Sequence, residues 1–228
     1  MKKVFNLAVI FAALMATATF TSCSKDDEPA VVDIQVVATP GTDGINLAGI
    51  ISSDNKLDDI VILNSDGTTA KTITLDANKV KEDGQKYFIY TINETLSNFD
   101  VYTIKATDAN ANESTKTFGE KFTSTLGNNA STYGSFLSIK DGAVYTLSQV
   151  NAGNGANVEI VYNGTTLISA DQATNTTINT NGKSATITTI TGGYLATTNT
   201  GYYAIIKGDN FGSQDVSIVV IKIEEPTV

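Results

Sequence analysis

Residues 100–106 read DVYTIKA, and apolar and polar side chains largely alternate along them. Because successive side chains of a strand point to opposite faces, Tyr102, Ile104 and Ala106 would share one face of a sheet. The same two-residue period recurs in short runs from residue 31 onwards, with glycine, asparagine and aspartate between the runs. This period is typical of strands rather than helices, so the fold class is predicted to be all-β.

The predicted strands fall into two sets, which indicate two β-sandwich-like domains. The first set covers residues 31–124 and the second covers residues 135–228. Between them, residues 125–134 read TLGNNASTYG and predict a linker, because the segment is polar and rich in glycine and asparagine. One long loop inside a single domain is the alternative, although loops of that length are uncommon in compact domains.

Four further predictions concern individual segments of the chain. Ser114–Phe122, STKTFGEKF, is predicted as one strand that closes the first domain, and Ala143–Val150, AVYTLSQV, as one strand of the second. The turn Ser65–Thr68 is predicted to join two strands, since Gly67 tolerates a positive φ. No helix is predicted after Cys23.

The DVYTIKA segment resembles the sixth strand of immunoglobulin-like and fibronectin type III domains. In those domains a tyrosine near the start of that strand bonds back to the backbone of the preceding corner, and Tyr102 lies at the matching position. The resemblance implies an immunoglobulin-like β-sandwich for residues 31–124. It is the branch of the family without a disulfide, because Cys23 is the only cysteine of the chain.

The first 22 residues have the pattern of a secretory signal peptide. Lys2 and Lys3 precede an apolar run from Val4 to Phe20, and small residues follow. A permanent membrane span is the alternative, but the run contains Asn6 and threonines and is short for that role. We therefore expect cleavage after residue 22.

The residues around the cleavage point resemble the lipobox of bacterial lipoproteins. Thr21 and Ser22 are small and precede Cys23, which the resemblance identifies as the residue that receives diacylglycerol; Phe20 stands where leucine is usual. A free structural thiol is the alternative. Each buried methylene of an acyl chain contributes about 0.8 kcal/mol, so several chains on one cysteine would anchor the protein firmly.

Residues 23–30 are predicted to be a lipidated cysteine followed by an acidic tether. The residues after the cysteine resemble the export signal of Bacteroidota-type lipoproteins, which directs them to the outer face of the outer membrane: Ser24, Lys25, Asp26, Asp27 and Glu28. A solvated, flexible tether is a compatible interpretation of the same charges. The expected localisation is the outer membrane, with the protein lipid-anchored and facing the cell exterior.

The composition excludes several classes of function. After removal of residues 1–22 the chain has 13 lysines, no arginine and 24 acidic residues, a formal charge of −11. Such a surface repels phosphate backbones, so nucleic acid is excluded as a partner. The absence of histidine removes Ser-His-Asp and Cys-His catalysis and the usual zinc sites. We expect no enzymatic activity, with a small carboxylate-dependent glycoside hydrolase as the remote alternative.

Two groups of residues are candidate sites. Asp108, Asn110 and Asn112 place oxygen side chains at alternate positions, which is the spacing of calcium-binding loops. A plain loop between the last two strands is the alternative, so no cofactor is expected except calcium. The second group is a candidate ligand platform of aromatic side chains near glycine-rich segments, for which packing at strand ends is the alternative: Tyr194, Tyr202, Tyr203 and Phe211.

These observations predict a non-enzymatic surface lipoprotein that acts as a binding or accessory module. Its layout of anchor, tether, immunoglobulin-like domain and distal β-rich domain is similar to that of small lipoproteins of polysaccharide-utilisation systems, so a polysaccharide is one expected partner. That expectation is fold-level analogy, and the absence of tryptophan counts against it. The alternative is a structural or adhesive surface protein that contacts other proteins.

The substitution Cys23→Ser tests the anchor. We expect the variant to lack attached lipid and to move from the detergent phase to the aqueous phase, because the hydroxyl group cannot take the place of the thiol in acylation. Mass spectrometry of the N-terminal peptide and detergent partitioning measure the two effects. Ser24→Ala is the control and is expected to keep the lipid; equal partitioning of the Cys23→Ser variant and the unaltered protein would contradict the assignment.

Overall fold

The computed structural model describes residues 31–76, 80–82, 88–126, 135–140, 142–173, 182–208, 211 and 215–224. The predicted signal peptide, Cys23, the acidic tether and most of the predicted linker lie outside these residues.

The predicted all-β, sandwich-like fold class is confirmed. The strands are β1 Val32–Pro40, β2 Ile45–Ser53, β3 Leu57–Leu63, β4 Thr69–Ile73, β5 Val80–Glu82, β6 Phe88–Leu96, β7 Tyr102–Asp108, β8 Glu113–Phe118, β9 Glu120–Thr125, β10 Ser135–Ser138, β11 Ala143–Tyr145, β12 Ile160–Tyr162, β13 Leu167–Ser169, β14 Ala185–Ile190, β15 Gly193–Thr198, β16 Tyr202–Lys207 and β17 Asp215–Lys222.

Two four-stranded antiparallel sheets form the first sandwich. Their strand orders are β1-β2-β6-β5 and β4-β3-β7-β8. Ile34 of β1, Ile51 of β2, Ile62 of β3 and Ile104 of β7 meet in one buried cluster between the sheets. The alternation predicted for residues 100–106 is confirmed, because every second residue of β7 is buried from Tyr102 to Asp108.

Tyr102 also makes the hydrogen bond that the sequence predicts. Its hydroxyl donates to the carbonyl oxygen of Asn98 at 3.1 Å, across the corner that leads into β7. Burial raises the pKa of the Tyr102 hydroxyl, so this group stays protonated and remains a donor. The predicted turn at Ser65–Thr68 is likewise present, with Gly67 at φ 81°.

The second half contains two further antiparallel sheets. A five-stranded sheet has the order β14-β15-β16-β17-β9, and a four-stranded sheet has the order β11-β10-β12-β13. We call them the central sheet and the distal sheet. Ile206, Ile218 and Val220 of the central sheet pack with Leu137 and Ile160 of the distal sheet.

The central sheet is buried on both faces along β16 and β17. Ile205, Val219 and Ile221 point the other way and join the core of the first sandwich. A strand that is covered on both faces has apolar residues at consecutive positions rather than alternate ones. The run Ile218–Ile221 has this pattern, and it accordingly stabilises both halves of the molecule.

The structure corrects the prediction that Ser114–Phe122 is one strand. The segment is divided at Gly119 into β8, which pairs with β7 of the first sandwich, and β9, which pairs with β17 of the central sheet. Gly119 has a φ of 91°, and a methyl group there would lie 2.5 Å from the carbonyl oxygen of Val220. The chain therefore passes from one sandwich to the next at Gly119. The predicted domain limits at residues 124 and 135 stay a prediction.

Polar contacts add to the apolar junction between the halves. Lys116 Nζ lies 2.8 Å from Glu224 Oε2, and Lys121 Nζ lies 3.0 Å from Asp100 Oδ1. Lys207 Nζ lies 5.2 Å from the centre of the Phe99 ring. Exposed ion pairs contribute little to stability, so the shared apolar core is the main attachment.

The prediction that Ala143–Val150 is one strand is also wrong. Strand β11 ends at Tyr145, and a short helix, α1, covers Leu147–Asn151. Thr146 caps this helix, because its side chain accepts from the Gln149 backbone N–H while the Gln149 side chain accepts from the Thr146 N–H. Within the residues that the structure describes, no helix has the length and apolar character needed to cross a membrane.

The substitutions Gly119→Ala and Gly67→Ala form a matched pair. Both glycines have a positive φ, which costs an alanine about 1–2 kcal/mol, but nothing lies within 4 Å of a methyl group on Gly67. We expect Gly119→Ala to lower the free energy of unfolding by about 1–3 kcal/mol more than Gly67→Ala, because its methyl group meets the backbone of β17. Urea denaturation measures both; equal losses would contradict the close approach.

Candidate functional site

Two adjoining clefts lie on the side of the molecule where the halves meet. The first, the junction cleft, has a volume of about 330 Å³. Residues from both halves line it: Ala38, Thr117, Phe118, Gly119, Glu120, Ile139, Lys140, Tyr202, Val220, Ile221, Lys222 and Glu224. The junction cleft forms because the chain crosses from the first sandwich to the central sheet at Gly119. This crossing brings the end of β8 beside the end of β17.

The second cleft, the lysine cleft, lies within the second half and has a volume of about 380 Å³. The residues that line it are five with charged or polar side chains and one tyrosine: Lys140, Asn157, Glu159, Lys183, Thr200 and Tyr202. Lys140 and Tyr202 also line the junction cleft, so the two clefts share a wall. Together they offer a site longer than either one alone.

Glu159 is the buried charge of the lysine cleft, with an exposed fraction of 1%. Its backbone N–H donates to Leu137 O, and its carbonyl oxygen accepts from the Ala170 N–H, which fixes the residue beside β12. Its Oε2 accepts from the Ile139 N–H at 2.6 Å, and its Oε1 accepts from the Thr200 hydroxyl at 2.6 Å. A carboxylate oxygen can accept two hydrogen bonds, so each oxygen keeps capacity for a further donor.

Neither of the two lysines of this cleft has a carboxylate partner among the described residues. Lys183 Nζ donates to the carbonyl oxygen of Ala156 at 2.8 Å and also to Asn157 Oδ1. Both acceptors are neutral, so they orient the ammonium group and leave its charge in place. Lys140 is exposed in the turn that follows β10. The cleft therefore combines hydrogen-bond donors with acceptors around one aromatic ring.

The structure separates the four aromatic residues of the predicted platform. Of these four, Tyr202 alone is in the lining of the two clefts, and it is also partly buried against the second core, which lies between the central and distal sheets. Tyr203 points to the opposite face of the central sheet and packs against the first core. Tyr194 meets Phe211 edge to face, with ring centres 5.3 Å apart, and both pack against the second core.

The Tyr194 and Phe211 pair is tied into the surrounding structure by further hydrogen bonds. Thr166 donates to the Tyr194 hydroxyl oxygen at 3.1 Å, and the Tyr162 hydroxyl donates to Phe211 O at 3.0 Å. These contacts favour the packing alternative for the two residues.

The sequence reasoning missed Glu159, Lys140, Lys183 and Thr200. Glu159 carried one usable signal, since it is an acid within the apolar run Val158–Tyr162. Buried acids need hydrogen-bond partners, so an acid in such a run indicates a polar contact inside the fold. The lysines and Thr200 have no comparable signal, because they lie in turns and loops.

Asp108 lies outside both clefts and is the centre of a separate hydrogen-bond network. Its Oδ1 accepts from the backbone N–H groups of Asn110 and Asn112 at 2.9 and 3.0 Å. Its Oδ2 accepts from the Ser53 hydroxyl at 3.1 Å and from Asn55 Nδ2 at 3.0 Å, and Asn112 Nδ2 reaches both oxygens. Burial by itself raises the pKa of the Asp108 carboxyl, but these hydrogen bonds outweigh it and lower the pKa to about 2.

The geometry of this loop favours a structural role over calcium binding. Asn110 and Asn112 turn N–H groups towards Asp108, whereas a calcium site needs six to eight oxygens turned towards one point. Among the described residues no three Asp, Glu, His or Cys side chains lie close enough to hold a metal. The calcium interpretation stays a prediction, and the hydrogen bonds instead join the β2–β3 loop to the β7–β8 loop.

Comparisons with known proteins assign no family. No protein-family model matches the chain, and no curated protein matches it. Among solved structures it is similar to a DUF4466 family protein from Parabacteroides merdae ATCC 43184, a member of the Bacteroidota, at 9% identity. The match covers 87% of this chain and 99% of that chain, with a TM-score of 0.28. A likeness at this level does not establish a family.

The substitution Asp108→Asn tests the loop network. We expect it to lower the free energy of unfolding at pH 7 by about 2–3 kcal/mol, because one oxygen that accepts hydrogen bonds becomes a donor facing other donors. In the unaltered protein the carboxyl pKa falls from 3.8 to about 2 on folding, so its contribution is present above 3.8 and is lost as the pH falls towards 2.

Urea denaturation at several pH values between about 2 and 7 measures both effects. In the unaltered protein, protonation of Asp108 causes part of the loss of stability at low pH. The Asp108→Asn variant should not show this part of the loss. Asp33→Asn is the matched control, since Asp33 is exposed and accepts a hydrogen bond from Gln35 at 2.6 Å. Equal stability of the two variants would contradict the role of Asp108.

Proposed function

We propose that this protein is a lipid-anchored, non-enzymatic surface protein that binds a glycan across the junction cleft and the lysine cleft. The observation that carries the proposal is the shared wall of the two clefts, in which the Tyr202 ring stands among lysine, glutamate and threonine side chains. Lipid on Cys23 and the acidic tether attach the protein to the outer membrane, facing the cell exterior. Cys23 is nine residues before the start of β1, a reach of at most about 30 Å.

The first half is proposed to be an immunoglobulin-like domain. Its sheet orders, β1-β2-β6-β5 and β4-β3-β7-β8, correspond to the ABED and C′CFG sheets of that family. Under this correspondence β7 is strand F, and Tyr102 near its start bonds back to Asn98 as the corner tyrosine does. Both features support the assignment without any contribution from sequence identity.

A sugar matches the chemistry of the cleft linings. Sugar hydroxyl groups both donate and accept, and the lysine cleft offers ammonium donors together with the side-chain oxygens of Asn157 and Thr200. The apolar face of a sugar ring packs on an aromatic ring, which Tyr202 supplies. Because the two clefts adjoin, the proposed ligand is longer than a single sugar and runs across Tyr202.

The first half contributes to this site and is more than a spacer. Ala38, Thr117 and Phe118 line the junction cleft together with Val220 and Ile221 of the central sheet. A ligand in this cleft would contact both halves at once. The shared core holds the two walls of the cleft in a fixed arrangement, so little conformational entropy would be lost on binding.

The carboxylates near the clefts support binding rather than hydrolysis. Glycoside hydrolysis generally needs two carboxyl groups that face the scissile bond. Glu159 is the acid in the lining of the lysine cleft, and donors already hold its two oxygens. In the junction cleft the acids are Glu120 and Glu224, and Glu224 is paired with Lys116.

The substitutions Tyr202→Ala and Tyr202→Phe test the site. We expect Tyr202→Ala to weaken binding by about 10-fold, because a 10-fold loss is about 1.4 kcal/mol, which corresponds to about 55 Å² of apolar area no longer buried against the ring. Tyr202→Phe keeps the ring and should keep most of the affinity. Affinity electrophoresis of residues 31–228 through gels that contain neutral or acidic polysaccharides measures the effect, with circular dichroism as the check on folding.

The outcomes separate the alternatives. Retardation by a polysaccharide that Tyr202→Ala abolishes and Tyr202→Phe preserves would support the proposed site. Retardation that is unchanged in both variants would support glycan binding but move it elsewhere on the molecule. No retardation by any polysaccharide would overturn the glycan proposal and favour the structural or adhesive alternative, while release of reducing sugar would favour the hydrolase.

A further inference from the structure

We infer that the lysine cleft selects a glycan bearing a carboxylate, so that the ligand carries an acidic sugar at this position. This inference rests on the proposed function, because it specifies which sugar occupies one end of the same site. It concerns the charge of Lys140 and Lys183, whereas the proposed function rests on Tyr202 and on the shape and hydrogen-bonding groups of the two clefts.

The acidic and basic side chains of the cleft lining differ in how exposed they are. Its one acid, Glu159, is 1% exposed and directs its oxygens at the Ile139 N–H and the Thr200 hydroxyl. The two ammonium groups belong to lysines in more exposed positions, Lys140 in a turn and Lys183 beside the loop at Asn157. A ligand that enters the cleft therefore meets positive charge before it meets the buried carboxylate.

Like Lys56, Lys207 and Lys222, the two lysines of the cleft have no carboxylate within 4.0 Å among the described residues. The chain has a formal charge of −9 at pH 7. Four other described lysines are neutralised by a carboxylate within 4.0 Å: Lys71 by Glu94, Lys105 by Glu113, Lys116 by Glu224 and Lys121 by Asp100. Lys140 and Lys183 differ from the other lysines of this group in lining the same cleft, so, within the described part of the chain, two uncompensated positive charges are available there to an anionic ligand.

Lys183 is also oriented for this role. Two of its three N–H bonds are directed at neutral oxygens, those of Ala156 and Asn157. This arrangement orders the flexible side chain before the ligand binds, and the third N–H bond is available to a carboxylate. Ordering in advance reduces the entropy that binding removes.

The net charge of the whole chain limits the kind of acidic glycan. A densely charged polymer would be repelled by the remaining acidic surface, but charges farther apart than about 8 Å are largely screened at physiological ionic strength. The site should therefore favour a short acidic oligosaccharide, or an acidic sugar within a neutral chain. Binding should weaken as salt is added.

The experiment compares ligands that differ only in their charge. Isothermal titration calorimetry of residues 31–228 would use uronic-acid oligosaccharides, the same oligosaccharides with each carboxyl group reduced to an alcohol, and sulfated counterparts of the reduced form. We expect the carboxylated form to bind at least 10-fold more tightly than the reduced form, and the difference to shrink at high salt. Equally tight binding by the sulfated form would assign the cleft to any anionic group and overturn the preference for a carboxylate.

Substitutions of the two lysines test whether the preference for a carboxylate arises in the lysine cleft. Lys140→Gln and Lys183→Gln should each reduce the ratio of the affinity for the carboxylated form to the affinity for the reduced form, because glutamine can still donate to a hydroxyl group but carries no charge. Lys56→Gln is the matched control, since Lys56 is exposed in the first half outside both clefts. Lys183→Gln also removes the contacts to Ala156 and Asn157, so Lys140→Gln is the decisive variant if the loop loosens.

The results distinguish failure of this inference from failure of the proposed function. If the carboxylated and reduced forms bind with equal affinity and Tyr202→Ala weakens the binding of both, the inference would be overturned. The proposed glycan site would still be supported. A charge preference that survives in both lysine variants would place the anionic contact elsewhere and also overturn the inference. The absence of binding by carboxylated, sulfated and neutral glycans alike would overturn both.

Discussion

Backbone pairing between β9 and β17 is the constraint on which the arrangement of this molecule depends. It carries the chain from the first sandwich into the central sheet and sets the end of β8 beside Val220 and Ile221. The central sheet is then covered on both faces, by the first core and by the distal sheet. The junction cleft is a consequence of this crossing, because its two walls come from segments that the β9–β17 pair and the shared apolar core bring together.

Asp108 and Glu159 are buried carboxylates that have no cation partner among the described residues. They show how burial and hydrogen bonding assign different roles to the same chemical group. Asp108 accepts from four residues that surround it, so its charge is satisfied and it holds two loops together. Glu159 accepts one hydrogen bond at each oxygen and lines a cleft. A buried charge needs compensation in either case, but the donors of Asp108 come from two loops that it joins, whereas those of Glu159 hold it at the base of the lysine cleft.

Local signals in the sequence predicted much of the first sandwich. The alternation in DVYTIKA, the turn at Gly67 and the hydrogen bond of Tyr102 each depend on a few neighbouring residues, and each is present. The errors have local causes too. Thr146 and Gln149 form a capping box within a segment that was predicted as a strand, and Gly119 divides a run whose alternation continues on both sides of it.

The candidate site was largely beyond the reach of the same reasoning. Tyr202 was singled out, but it was grouped with Tyr203, which faces the other side of the sheet, and with two aromatics that pack against the second core. Lys140, Glu159, Lys183 and Thr200 come from separate turns and strands, and they meet because two sheets stack. Their convergence depends on tertiary packing rather than on any spacing along the chain.

By itself, the sequence determined the all-β class, the strand period and the exclusion of histidine-dependent chemistry, because these follow from composition and from the order of neighbouring residues. Tertiary structure alone decided that the central sheet is shared by two cores, that Asp108 holds loops together, and that two lysines and a buried glutamate line one cleft. The physical reason is that burial and long-range strand pairing are properties of the whole fold. Residues far apart in the chain acquire a common environment only when the sheets pack.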